Sequence, residues 1–301
     1  MKTKFWFLFA MSAIVPASDA FAKLNVIATV TDLRAIVAEV GGEFVSVESI
    51  AKGTQDPHYI EAKPSFMLKL NRADLVVAIG LDLEIGWLPS VVRGARNPRI
   101  NPGQPGFLEV GPLVNPVDVL TGKVTRAEGD VHPFGNPHVT LDPLRAGEIA
   151  VKIAERLGQL DPGHASDYAK NAHTLKSRLE AQTKIWKTRI DQSGVKKVVS
   201  YHKTLTYFFQ RFQIENPAIL EPKPGIPPTS GHILEVIQLI RTQRIPLILV
   251  ENYFDPTVTK KVRDELPAVR SQTVAVAVDG APGVVKIDDL YEHLVKAIEG
   301  K

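Results

Sequence analysis

The sequence predicts an α/β protein of two parallel-sheet lobes joined by a long backbone helix, with a cleft between the lobes. Three observations lead there. Short β-branched runs alternate with stretches of helical periodicity in the first half, the same alternation returns in the second half, and a long charged stretch almost free of glycine and proline lies between them. Strand-helix alternation implies parallel sheets with helices on their faces.

In order, residues 24–30 read as a strand. Thr31 is placed to cap a helix with apolar positions Leu33, Ile36, Val37 and Val40, ended by Gly41-Gly42. Residues 44–50 form a second strand, Pro64 opens a helix to about Arg72, and residues 75–79 form a third, doubly buried strand. The many prolines and glycines between residues 94 and 140 predict irregular connections. Asp142-Pro143 starts a helix with one face formed by Leu144, Ile149, Ile153 and Leu157. Asp161-Pro162 restarts it, and residues to about 192 make a connector expected to lie outside the core. The second half reads as strands at 195–200, 218–220, 247–250 and 273–278. Helices are expected at 205–212, after Thr229 or Ser230, near 258–266 and at 290–298. The expected divisions are 23–160, 161–193 and 194–301.

Residues 1–22 set the expected compartment. Lys2 and Lys4, a short apolar run from Phe5 and the ending Ala20-Phe21-Ala22 form a signal-peptide pattern, too short to span a bilayer. The chain contains no cysteine, which excludes disulfides, thiolate metal sites and a lipid on a cysteine at the cleavage point. A soluble periplasmic protein is the expectation. The formal net charge of +3 comes from scattered lysines and arginines interleaved with acids. Nucleic acid is therefore not an expected partner.

Of eight histidines, His58, His138 and His202 stand in segments of distinctive composition, Asp56-Pro57-His58, Asn136-Pro137-His138 and Ser200-Tyr201-His202. With Asp279 at the end of the last strand, all fall beside strand or helix ends, where open α/β sheets bind ligands. Two come from each half. Three imidazoles and a carboxylate suit tetrahedral zinc, although scattered single residues lack the tight spacing of a zinc motif. His164, His173, His232 and His293 read as surface residues. Glu61, Glu221 and Glu251 read as supporting carboxylates near the ligand segments.

These segments resemble the zinc- and manganese-type solute-binding proteins of bacterial ABC metal importers. The resemblance covers residues 23–301. It rests on Asp56-Pro57-His58 with Pro64-Ser65, on Ala73 to Val77 through Gly80, Leu83-Glu84 and Trp87-Leu88, and on Asn136-Pro137-His138-Val139 with Leu141-Asp142-Pro143. Ser200-Tyr201-His202 before Tyr207-Phe208, and Glu221-Pro222 with Pro224-Gly225-Ile226, extend it. It implies that His58, His138, His202 and Asp279 hold the metal in the interlobe cleft. Zinc (Zn2+) would be transported cargo, and the partner a membrane permease, with a periplasmic zinc chaperone as a candidate donor. A monomer and no catalysis are expected. Zinc members often carry a histidine-rich loop before the second ligand, whereas here only His132 stands in Asp130-Val131-His132-Pro133. The competing cargo is manganese or ferrous iron. A zinc hydrolase is disfavoured because no H-E-x-x-H, P-loop or G-x-S-x-G motif occurs.

Overall fold

The computed structural model describes residues 23–122, 131–223 and 225–301. The signal-peptide expectation lies outside them. Among the described residues, no helix is long and apolar enough to cross a membrane.

The first sheet has the order β2-β1-β3-β4, from Val45–Ser49, Leu24–Ala28, Leu75–Ala78 and Phe107–Glu109. All its pairings are parallel. Strand β3 is buried at every position, as its unbroken apolar run predicts. Helix α1 (Thr31–Gly41) begins directly after β1, and Gly42 ends it at φ 55°. Thr31 does not cap it. Its hydroxyl instead donates to the Val278 carbonyl at 2.6 Å, 247 residues away in the chain. Helix α2 (Pro64–Asn71) starts at its proline as predicted. Helix α3 (Leu88–Ala95) and strand β4 were not foreseen, the latter within the proline-rich stretch read as irregular.

Helix α4 (Pro143–Leu160) is capped by Asp142, whose carboxylate accepts from Leu144 N. After a short 3-10 turn comes α5 (Ala165–Ser193), 29 residues and about 43 Å long. It is the predicted connector, but it is not solvated all round. Tyr168, Ala172, Leu175, Leu179, Trp186 and Ile190 are buried along one stripe, in the same apolar cluster as residues of α1, α4 and the last helix. Few apolar positions sufficed because they recur at helical spacing.

The second sheet is parallel, with order β5-β6-β7 from Val198–Ser200, Leu247–Glu251 and Arg270–Val274. The strand expected at 218–220 is reduced to a parallel bridge between Ser200 and Ile219. The last strand lies a few residues earlier than predicted, so Asp279 stands in a loop beyond it. Alternation splits this sheet between two cores. Val198, Leu247 and Leu249 join the large core, whereas Val199, Ile248 and Val250 face the smaller one with α7 (Ser230–Gln243). Helix α6 (Thr206–Phe212) follows β5, and α8 (Thr257–Glu265) follows β6. Helix α9 (Ile287–Glu299) closes the chain by packing its apolar face into the large core. Arg189 of α5 grips it through Glu292 and Glu299.

Candidate metal site

His58, His138 and His202 converge although they are far apart in sequence. Each offers a ring nitrogen within 4.8 Å of the other two. Ring centroids are 5.5 Å apart for His58–His138, 6.0 Å for His58–His202 and 5.7 Å for His138–His202, with ring planes at 63°, 81° and 86°. The three steeply inclined rings thus bring one nitrogen each into a shared space.

Two are set by the same local device. In Asp56-Pro57-His58 the Asp56 Oδ1 accepts from His58 N at 3.0 Å, and in Asn136-Pro137-His138 the Asn136 Oδ1 accepts from His138 N at 3.0 Å. The intervening proline fixes φ and the Asx side chain closes the turn. The first turn is held from outside by Trp87, whose indole donates to the Pro57 carbonyl at 2.9 Å. The second is tied to the other half of the molecule. Asn136 Nδ2 donates to the Lys203 carbonyl at 3.0 Å and Tyr207 Oη donates to the Asn136 carbonyl at 2.7 Å. Gly135 precedes it at φ 120°, where an added Cβ would lie 2.7 Å from Pro116 Cβ. Only glycine fits that entry.

Carboxylates orient the rings. His58 Nδ1 lies 2.6 Å from Asp56 Oδ1, and His202 Nδ1 contacts Glu221 Oε2. A carboxylate only accepts, so both Nδ1 atoms carry the proton and Nε2 keeps its lone pair for a metal. Burial raises the Asp56 carboxyl, but the hydrogen bonds and charge of His58 outweigh it and hold it below the ordinary value. Burial, with the charges of neighbouring imidazoles, holds His138 well below the ordinary histidine value, so this ring stays neutral. Its Nε2 is buried and has no hydrogen-bond partner. A neutral, desolvated imidazole nitrogen without a partner is costly unless something else binds it.

The supporting carboxylates divide. Glu221 and Glu251 both serve His202, the second accepting from His202 N at 3.2 Å. Burial lifts Glu251 to about 8. Glu61 is exposed and faces Lys63. Asp279 is not brought to the histidines here. Its carboxylate is 2.8 Å from Arg34 and 46% exposed, on a backbone at φ 62°. His132 touches one of them, with its Nε2 3.0 Å from His58 Nε2, but it is not one of the three whose ring nitrogens all lie within 4.8 Å of one another. Burial, followed by the charges of His58 and His202, lowers its pKa to about 4. Its proline-flanked setting carried no motif that marked it in the sequence. Two surface expectations fail. His164 stacks on Phe44 at 3.9 Å, and His293 Nε2 accepts from Ala275 N at 3.0 Å.

A profile of the family described as ZnuA, zinc-uptake complex component A periplasmic, matches residues 26–299. Relatives include the metal ABC transporter substrate-binding lipoprotein ScbA of Streptococcus cristatus, 28% identical over 92% of this chain and 89% of that protein. The manganese ABC transporter substrate-binding lipoprotein PsaA of Streptococcus mitis is 26% identical over 92% of this chain and 89% of its own length. The crystal structure of ZnuA superposes with a TM-score of 0.74 at 18% identity, over 92% of this chain and 98% of that one, and so shares the fold. With the cluster of imidazoles, these matches establish that the chain belongs to the ZnuA family, as the metal-binding component of an ABC-type metal importer and not an enzyme.

Proposed function

We propose that the chain captures zinc outside the cytoplasm and hands it to the importer's membrane permease. The observation carrying this reading is the donor set. Three imidazoles, two with carboxylate partners and one buried without any, match the nitrogen preference of zinc, and divalent affinities rise from manganese towards zinc. Four protein ligands would leave no open coordination position, which suits carriage. The reading takes Asp279 as the fourth ligand of a closed site in which its pair with Arg34 has opened. The leader-like pattern of residues 1–22 and the lack of cysteine support a periplasmic protein without a cysteine-linked lipid; the reading also takes it as a monomer, loaded directly or by a chaperone.

The second reading, manganese or ferrous iron, is favoured for manganese by relatives such as the manganese-named PsaA. Competition titration of the purified protein separates the two. The zinc reading expects a preference of at least about a hundredfold, or roughly 2.7 kcal/mol. Equal affinities would overturn it while leaving the carrier role intact. His58→Ala, His138→Ala and His202→Ala should each stay folded without metal and bind zinc far more weakly, because the ligands sit on preformed turns.

A further inference from the structure

His132 is anchored as a metal ligand is anchored. Its Nδ1 lies 3.1 Å from the Leu81 carbonyl, which can only accept, so Nδ1 carries the proton and Nε2 the lone pair. That carbonyl belongs to a fixed turn. Glu84, 3% exposed, accepts from Ile79 N at 2.9 Å, Gly80 N at 3.0 Å and Thr29 Oγ1 at 2.6 Å. Leu81 is held at φ 56°, a region that residues other than glycine seldom take.

The lone pair of His132 Nε2 therefore faces that of His58 Nε2 across 3.0 Å. Two lone pairs at that distance repel unless a proton or a cation sits between them. Tetrahedral zinc with Zn–N bonds of 2.0–2.1 Å places its nitrogens about 3.3 Å apart, so the His58–His132 spacing suits two ligands of one ion, and His132 has still to close on His138 and His202, being outside the group of three within 4.8 Å. His132 also lines a cavity of about 110 Å3 together with His138 and His202. Asp279 meanwhile is committed to Arg34.

We propose that His132 is a zinc ligand, filling the fourth coordination position while Asp279 is held by Arg34. The site then has two tetrahedral forms, one with four imidazoles and one with three imidazoles and the Asp279 carboxylate. This rests on the zinc-carrier reading above and extends it.

The test uses Asp279→Ala, which leaves only the first form. X-ray absorption of its zinc complex should show four imidazole nitrogens, and three nitrogens plus a water oxygen would overturn the proposal. In that background, His132→Ala should weaken zinc binding at least tenfold, about the lower bound for losing even an outer partner of a ligand. Unchanged affinity would overturn it as well. The absorption measurement needs no change at His132, so it stands even if His132→Ala misfolds. If the wild-type protein bound no zinc, the carrier reading would fail and this inference with it. A wild type that binds zinc beside an Asp279→Ala variant with a three-nitrogen shell would remove this inference alone.

Discussion

Asp56 and Asn136 perform one task at two places, and the chain repeats it elsewhere. An Asx side chain accepts the backbone N–H two residues on, across a proline, at Asn97-Pro98-Arg99, Asp142-Pro143-Leu144 and Asp255-Pro256-Thr257 as well. At the last three the turn launches a helical segment. At the first two it aims a histidine. Replacing Asn136 with Ala removes both the turn closure and the bond to Lys203, so His138 loses its fixed direction. Zinc affinity should fall by about 10- to 100-fold with little loss of helix content, measured by chelator competition alongside circular dichroism. Glu221→Gln should weaken binding less, because the amide keeps a contact to His202 Nδ1 but loses the charge that favours a metal-bound ring. An affinity loss greater than that of Asn136→Ala would contradict this ranking. These histidines were legible in the sequence because their positioning is local, written into three consecutive residues. The anchoring of His132 was not, and neither was the pairing with Arg34 of Asp279, which the sequence offers as the fourth ligand, because the partners Leu81 and Arg34 lie 51 and 245 residues away.

At the scale of elements, the sequence pattern revealed α1, α2, α4, α5 and α7 and the positions of the inner strands along the chain. It failed where tertiary context decided. Strand β4 has three residues and exists because Phe107–Glu109 pairs with Val76–Ala78. The burial of α5 was missed because its large apolar residues are sparse among charged ones, although Tyr168, Leu175, Leu179, Trp186 and Ile190 share one buried stripe. What fastens α9 to that helix is also long-range. Arg189, first through its hydrogen bonds, holds the Glu299 carboxyl at about 2. A lowered carboxylate pKa stabilises the fold above the unfolded value near 4.5, and the contribution is lost as pH falls through the folded value near 2. Acid unfolding followed by tryptophan fluorescence should therefore be less steep over pH 4.5 to 2 in Glu299→Gln than in the wild type, since Trp186 faces α9 through Glu292. Identical profiles would show that the ion pair contributes nothing there.

Across the whole molecule, the two halves meet through buried polar groups near the site. Asp32, at the start of α1, accepts from Val278 N at 2.7 Å and from Thr140 Oγ1 at 2.7 Å. Tyr291 of α9 donates to the Thr140 carbonyl at 2.5 Å. Arg211 of α6 binds the Asp142 carboxylate at 2.7 and 2.8 Å. Burial raises Asp32 to about 6 despite the opposing hydrogen bonds. The folded state therefore holds this proton more tightly than the unfolded chain. The resulting stabilisation is full below pH 3.8 and declines as pH rises to about 6. In urea unfolding of the metal-free protein, Asp32→Asn should remove the decline assigned to this window. If wild type and variant fall in parallel there, the source lies elsewhere.

The bond from Asn136 to the Lys203 carbonyl has a consequence for how an ion leaves. Lys203 directly follows His202, and Tyr207 clasps the same Asn136 from α6. The second and third histidines are thus buckled to each other by side-chain bonds to their neighbouring backbone carbonyls, although they come from opposite halves. Drawing the halves apart cannot separate those two imidazoles without tearing the buckle. The first histidine hangs on its own turn, fastened by Trp87. Under the carrier reading, departure would then be sequential, with His58 letting go before the buckled pair. The ion would rest last on the side held by His138 and His202, and a receiving ligand would take it from the side that His58 had left.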